Sequence, residues 1–155
     1  MEMSKQLILI GGIPSAGKTT LARKFVKTFG LEKEFCVDYV YFAIGDELGI
    51  KDFANPHIWT RVDKKIVSEL KRKYYRDMLP TNDRVIIEGY GLMFKEDRDI
   101  IKEFYHDHEV TFFYRDIDFE DWAIQKGVVA CEDRLKEFNF LKKNATIEKG
   151  TITIK

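Results

Sequence analysis

The residues best suited to chemistry form a short glycine-rich segment that ends in lysine and threonine. Gly12 and Gly17 are followed directly by Lys18 and Thr19. A backbone that curls tightly at such glycines points successive N–H groups inward, where they bind phosphate oxygens. Lys18 then supplies a charge for the β- and γ-phosphates of a nucleotide, and Thr19 supplies a hydroxyl for Mg²⁺. The spacing predicts a phosphate-binding loop made of Gly12, Ile13, Pro14, Ser15, Ala16, Gly17, Lys18, Thr19 and Thr20.

The segments on either side of this loop predict a strand before it and a helix after it. Residues Lys5 to Ile10 are mostly β-branched or leucine, which is typical of a strand buried on both faces. Residues Thr19 to Phe29 carry apolar side chains at helical spacing and end before Gly30. The positive end of this helix dipole favours phosphate. This context disfavours the alternative, a plain glycine-rich turn with an exposed lysine.

Polar residues also follow the other predicted strands. Asp38 ends the run at 35–37, Glu88 follows the run at 84–87, and Arg115 follows the run at 110–114. Ligands of open parallel sheets bind outside the carboxyl ends of the strands. We therefore expect these three side chains to converge on the phosphate-binding loop.

Asp38 and Glu88 each have a catalytic and a structural interpretation. Asp38 could accept the proton of a substrate hydroxyl that attacks a γ-phosphate, or it could cap the helix that begins near Tyr39. Glu88 could hold Mg²⁺ through water or orient the attacking group. Its structural alternative is a partner for a nearby arginine or backbone amide.

Three basic residues are candidates to neutralise charge on a transferring phosphoryl group. They are Arg115, Lys126 and Arg134, and the last two belong to a charged helical segment, 118–144, that we predict to be a lid. An ordinary surface charge is an equally good interpretation of each. Residues His106 to Glu109 contain metal-ligating types, but consecutive side chains diverge and the predicted turn lies at the opposite end of the sheet, which disfavours a metal site.

Alternating strands and helices predict one α/β domain over residues 1–155, with a mostly parallel sheet of roughly five strands. A long helical insert separates the second and third strands. Its apolar residues at helical spacing are Trp59, Val62, Ile66, Leu70 and Tyr74. A further helix is predicted at 95–105, and the final strand at 151–154.

Composition narrows the function classes. The 26 basic residues balance 26 acidic ones, which disfavours a dedicated binder of double-stranded nucleic acid. A local basic groove at Arg61, Lys64 and Lys65 remains an alternative. The two cysteines predict neither a disulfide framework nor a zinc site, so we expect a cytoplasmic protein. The apolar run at 7–13 is too short for a membrane span and lacks the pattern of a signal peptide.

Four motifs together resemble the small P-loop kinases over nearly the whole chain. They are GGIPSAGKTT at 11–20, CVD at 36–38, VIIEGYG at 85–91 and FFYRD at 112–116. Among the subfamilies, the arrangement is similar to chloramphenicol phosphotransferase, zeta-toxin-type kinases and the kinase domain of polynucleotide kinase. The resemblance implies a three-layer P-loop NTPase fold with a helical lid, and an acceptor hydroxyl acted on by Asp38.

The sequence therefore predicts an ATP- and Mg²⁺-dependent phosphotransferase. Its acceptor is a hydroxyl on a small molecule, nucleoside or nucleotide. One alternative is a nucleotide-binding ATPase or regulatory switch without an acceptor, and another is a kinase of 5′-hydroxyl nucleic-acid ends. No membrane partner is expected, and the sequence carries no signal for an oligomeric state.

Overall fold

Five parallel strands form a single sheet in the computed structural model, which describes residues 5–31 and 33–155 apart from the side chains of Pro56, His57 and Thr60. The spatial order of the strands is β2-β3-β1-β4-β5. In chain order they are β1 (Gln6–Gly11), β2 (Phe35–Cys36), β3 (Arg84–Glu88), β4 (Glu109–Arg115) and β5 (Ile152–Ile154). The central strand β1 pairs with β3 and β4, so the residues after these strands lie at one edge of the sheet.

Six α-helices connect the strands in the described part of the chain. They are α1 (Lys18–Phe29), α2 (Asp38–Leu48), α3 (Lys64–Met78), α4 (Lys95–Phe104), α5 (Phe119–Lys126) and α6 (Glu132–Lys143). Two 3₁₀ segments, Pro56–Arg61 and Tyr90–Met93, precede α3 and α4 respectively. The predicted α/β class and parallel five-stranded sheet are confirmed.

Helices cover both faces of the sheet, as the all-apolar strands require. Ile8 and Ile10 of β1 face α1 and pack with Ala22. The alternate residues Leu7 and Leu9 belong to the larger core, to which the other five helices contribute. The fold therefore has three layers, with α1 alone on one side in the described residues.

The predicted helical insert is interrupted. Trp59 lies in the first 3₁₀ segment and Val62 follows it, whereas α3 begins only at Lys64. The reason is Asp63, whose carboxylate accepts hydrogen bonds from the backbone N–H groups of Lys65 and Ile66 and so caps the helix. The helical spacing predicts that Trp59 and Val62 already belong to this helix, and that prediction is wrong.

The predicted lid segment, 118–144, contains two helices. Helix α5 ends at Gly127, whose φ of 77° is left-handed and favours glycine. Helix α6 begins after Cys131. The Trp122 ring, fully buried, packs on Phe138 at 5.5 Å between ring centroids, so the two helices share one core.

A buried carboxylate joins α2, α3 and α4. Asp97 of α4 is fully buried and accepts hydrogen bonds from the hydroxyls of Tyr41 and Tyr75, both at 2.6 Å. The Lys71 ammonium lies 3.0 Å from the same carboxylate. Buried charges persist in proteins when they are paired and hydrogen-bonded in this way. Since Tyr41 lies one turn after Asp38, this network positions the start of α2.

None of the described helices is long and apolar enough to cross a membrane.

Candidate active site

The glycine-rich segment forms the loop between β1 and α1. Gly17 has a φ of 88°, which favours glycine. A Cβ at Gly12 would lie 2.9 Å from the Arg115 carbonyl oxygen, so the loop also requires glycine where it passes the end of β4. The indole N–H of Trp122 donates to the Pro14 carbonyl at 2.8 Å. This hydrogen bond holds α5 against the loop.

Lys18 points back into this loop. Its ammonium donates to the Ile13 carbonyl at 2.7 Å, and the side chain is buried. Burial lowers the pKa of Lys18, while Glu88 and Asp38 nearby oppose the shift. The charge is thus held inside the loop by a neutral acceptor, at the position where phosphate would lie.

Thr19 and Glu88 meet beside Lys18. The Thr19 hydroxyl donates to Glu88 Oε1 at 3.3 Å. The pairing of β1 with β3 sets Ile10 opposite Glu88, which brings the carboxylate to the end of the loop. Burial raises the pKa of Glu88, against the effects of a hydrogen bond with Cys36 and of Lys18.

The donor set of Thr19 and Glu88 fits magnesium. Both groups present oxygen, which Mg²⁺ prefers, and the ion commonly takes only one or two protein ligands together with phosphate and water. Among the described residues, no group of three or more His, Cys, Asp or Glu side chains is placed to hold a metal ion. Thr19 and Glu88 could supply the protein ligands of an ion whose other ligands are phosphate and water.

Asp38 opens α2 at the end of β2 and faces the same region. The residue at the N-cap position is Val37, and no side chain caps this helix, so the capping interpretation of Asp38 is wrong. Burial raises the pKa of Asp38, while Lys18 and a hydrogen bond with Cys36 lower it. A half-buried carboxylate with a raised pKa is a stronger base than an exposed one.

These side chains line a cavity of about 410 Å³, here called the inner cavity. It is lined by loop residues together with Cys36, Asp38, Ala54, Glu88, Tyr90 and Gln125. A second cavity of about 620 Å³, here called the outer cavity, lies on the other side of the loop. Gly17, Thr20 and Gln125 line both. The two cavities therefore adjoin at the phosphate-binding loop.

The three predicted basic residues have different surroundings. Arg115 lines the outer cavity, and its Nε lies 3.6 Å from the position a Cβ on Gly17 would take. Lys126 and Arg134 instead bind the two oxygens of Glu137, at 2.7 and 2.9 Å. Neither is among the described residues that line the two cavities. Their role in nucleotide binding stays a prediction.

Sequence reasoning missed Gln125. This exposed residue of α5 lines both cavities, and none of the described residues forms a hydrogen bond with its side chain. A single glutamine in a charged helix carries no recognisable signal. Its position follows from the anchoring of Trp122 to the loop, since residues three apart lie on the same side of a helix.

The basic groove weighed for nucleic acid does not form at the inner cavity. Arg61, Lys64 and Lys65 are not among its described lining residues. Lys64 lies instead at an aromatic cavity between α2, α3 and α4. In the 106–109 segment, Asp107 lies 2.7 Å from the Lys5 ammonium and 3.0 Å from His108 Nδ1.

Solved structures similar to this chain are small kinases. A gluconokinase from Sinorhizobium meliloti 1021 is 12% identical, with a TM-score of 0.64 over 99% of this chain and 83% of that chain. A sugar kinase from Janibacter sp. HTCC2649 is 17% identical, with a TM-score of 0.56 over 97% and 83%. A shikimate kinase from Bacteroides thetaiotaomicron is 14% identical, with a TM-score of 0.56 over 90% and 76%.

No protein-family model and no curated protein matches the sequence. At the identities just given, structural likeness establishes the fold. The chain therefore has the fold of the small P-loop kinases, and the predicted resemblance is confirmed at that level.

Proposed function

We propose that the protein is an ATP-dependent phosphotransferase that moves the γ-phosphate of ATP to a hydroxyl of a small molecule. The observation that carries the proposal is the composition of the inner cavity. Three kinds of group line this one space. They are the phosphate-binding lysine Lys18, the hydroxyl–carboxylate pair Thr19 and Glu88, and a separate carboxylate, Asp38, whose pKa is raised by burial. A carboxylate separate from the pair of Thr19 and Glu88 is placed to act on an acceptor hydroxyl.

ATP would lie across both cavities. Its triphosphate occupies the loop where the cavities adjoin, and the larger outer cavity takes the nucleoside. Lys18 leaves the Ile13 carbonyl and binds the β- and γ-phosphates, exchanging a neutral acceptor for an anionic one. Arg115 beside Gly17 and the amide of Gln125 are placed to contact phosphate or ribose oxygens.

Thr19 and Glu88 would hold the Mg²⁺ that accompanies ATP. The ion neutralises charge on the phosphate oxygens when bound. The protein's part is to keep the two oxygen ligands in place, and the pairing of β1 with β3 does so through Ile10 opposite Glu88. The hydrogen bond between Thr19 and Glu88 supports this proposal, because it keeps the two oxygen ligands close together.

Asp38 acts on the acceptor. Its carboxylate accepts the proton of the acceptor hydroxyl as that oxygen attacks the γ-phosphorus, and the bond between the γ-phosphorus and the β–γ bridging oxygen breaks, so that ADP leaves with the electron pair. The network of Asp97 with Tyr41 and Tyr75 holds α2, and therefore Asp38, at the cavity wall. Positioning of this kind supplies much of the catalysis in phosphoryl transfer.

Asp38→Asn tests the proposal. The substitution removes the base and leaves the loop intact, so ATP affinity should persist while acceptor phosphorylation falls by about 10²–10⁴-fold. Acceptor-free ATP hydrolysis should change far less. A panel of nucleosides, sugars, aminoglycosides and oligonucleotides supplies the acceptors, and coupled ADP release with product mass gives the readout.

The matched control is Asp46→Asn, which changes an exposed carboxylate on the same helix. It should leave both reactions unchanged. Equal acceptor phosphorylation by the wild type and Asp38→Asn would reject the base. ATP turnover with no phosphorylated product from any acceptor would favour the regulatory ATPase instead.

A further inference from the structure

The acceptor end of the inner cavity is acidic. Cys36, Asp38, Ala54, Glu88 and Tyr90 line it away from the loop, and none of them is basic. The basic group among the described lining residues is Lys18, which the phosphates of ATP would occupy. Since Mg²⁺ would take up the charge of Glu88, an acceptor meets the Asp38 carboxylate and a γ-phosphate. No positive side chain among the described lining residues remains to balance a negative charge on the acceptor.

Basic side chains on the neighbouring helices do not change this balance. Lys71 of α3 binds Asp97 at 3.0 Å and Glu96 at 3.2 Å. Arg98 of α4 binds Glu148 at 2.9 Å and donates to backbone carbonyls. Both charges are neutralised by carboxylates within the protein.

One aromatic side chain, Tyr90, lines the same end of the cavity and is held in position. Tyr90 is buried, and its hydroxyl donates to the Leu141 carbonyl at 2.7 Å. The Trp59 ring stacks on Tyr90 with an interplanar angle of 24°, and Phe94 packs edge-on against both rings. Trp59 and Phe94 line the separate aromatic cavity between α2, α3 and α4, so Tyr90 presents only an edge to the inner cavity.

We infer that the acceptor is a neutral or cationic alcohol that carries no carboxylate or phosphate. This inference rests on the proposed function and specifies its substrate class. The charge of the cavity disfavours sugar acids, nucleotides and nucleic-acid ends. Like charges brought together in a desolvated site disfavour binding strongly.

Matched pairs of acceptors test the charge requirement. Glucose is compared with glucuronate, and adenosine with adenosine monophosphate, so that the members of each pair share their rings and differ in an anionic group. In any pair that is phosphorylated, kcat/KM for the uncharged member should exceed that for the anionic one by at least about 10-fold. Equal or better use of the anionic member would overturn the inference.

A charge introduced at Ala54 tests the cause. Ala54→Lys places an ammonium at the acceptor end. The ratio of kcat/KM for the anionic member to kcat/KM for the uncharged member should therefore rise by about 10-fold or more. Ala54→Met adds similar length without charge and should leave the ratio unchanged. An unchanged ratio in Ala54→Lys, with thermal unfolding showing a folded protein, would reject the electrostatic argument.

Binding separates failure of this inference from failure of the proposed function. The protein is loaded with Mg²⁺ and a non-hydrolysable ATP analogue, and each pair is titrated by calorimetry. Preferential binding of uncharged members without turnover of any acceptor would reject the phosphotransferase and keep the inference. Binding of the anionic members alone, or of no member, would overturn the inference whatever the activity.

Discussion

Positive charge is held in two different ways by Lys18 in the phosphate-binding loop and by Lys126 and Arg134 in the predicted lid, 118–144. Lys18 donates to a neutral carbonyl, and burial lowers its pKa. Lys126 and Arg134 are held by Glu137, a carboxylate whose pKa the two cations lower against the effect of burial. Phosphate can attract Lys18 away from a carbonyl more easily than it can attract the other two from a carboxylate. The loop is thus prepared for an anion, while the lid is internally neutralised.

The largest expected effect comes from removing the loop charge. Lys18→Ala should lower phosphoryl transfer by about 10³-fold or more, because no other described cation lies inside the loop. It should also remove the rise in unfolding temperature that Mg²⁺ and ATP give the wild type. Lys27→Ala, which changes an exposed lysine of the same helix, is the control. Wild-type turnover in Lys18→Ala would show that the loop charge is not used.

The next effect is expected at the carboxylate beside the loop. Glu88→Gln keeps the size of the side chain and a hydrogen-bonding partner for Thr19 but removes the negative ligand. Turnover at saturating ATP should fall on the order of 10²-fold, and the Mg²⁺ concentration for half-maximal rate should rise. A magnesium titration at fixed ATP measures both. If the Mg²⁺ concentration for half-maximal rate does not change, Glu88 has a structural role and is not a magnesium ligand.

A smaller effect is expected at Gln125, where lid and loop meet. Gln125→Ala should raise the KM for ATP by up to about 10-fold, since a neutral hydrogen bond contributes on the order of 1 kcal/mol. Lys126→Ala, at the next position of α5, should change KM less, because that cation already binds Glu137. A larger rise in KM for Lys126→Ala than for Gln125→Ala would mean that Lys126 contacts ATP. The contrast between an available loop charge and paired lid charges would then be wrong.

The smallest effect is expected from releasing the lid cations. Glu137→Gln frees Lys126 and Arg134, so ATP affinity should rise by up to about 5-fold at low salt and less at high salt. Calorimetric titration at two ionic strengths provides the measurement. Weaker ATP binding in Glu137→Gln would mean that the pairing of α5 with α6 supports the site rather than competing with it.

The two regions also differ in how well sequence reasoning described them. The loop was predicted with its flanking strand and helix, and Glu88 was placed correctly at the end of β3. Glycine positions and apolar runs encode such local structure directly. The segment 118–144 was predicted to be helical, and the structure divides it at Gly127 into α5 and α6. The start of α3 was misplaced, because helical spacing does not reveal that Asp63 caps it.

The sequence alone sufficed for the α/β class, the phosphate-binding loop and the candidate residues at the strand ends, because these follow from short-range periodicity and from glycines that the backbone requires. Tertiary packing decided what the charges do. The anchoring of Trp122 to Pro14 brings Gln125 to both cavities, and Glu137 captures two cations from different helices. The contact between Trp122 and Pro14 joins residues far apart in the chain, and no local pattern of residue types records that distance. The pair of Arg134 and Glu137 is local by contrast, since the two residues lie three positions apart on α6.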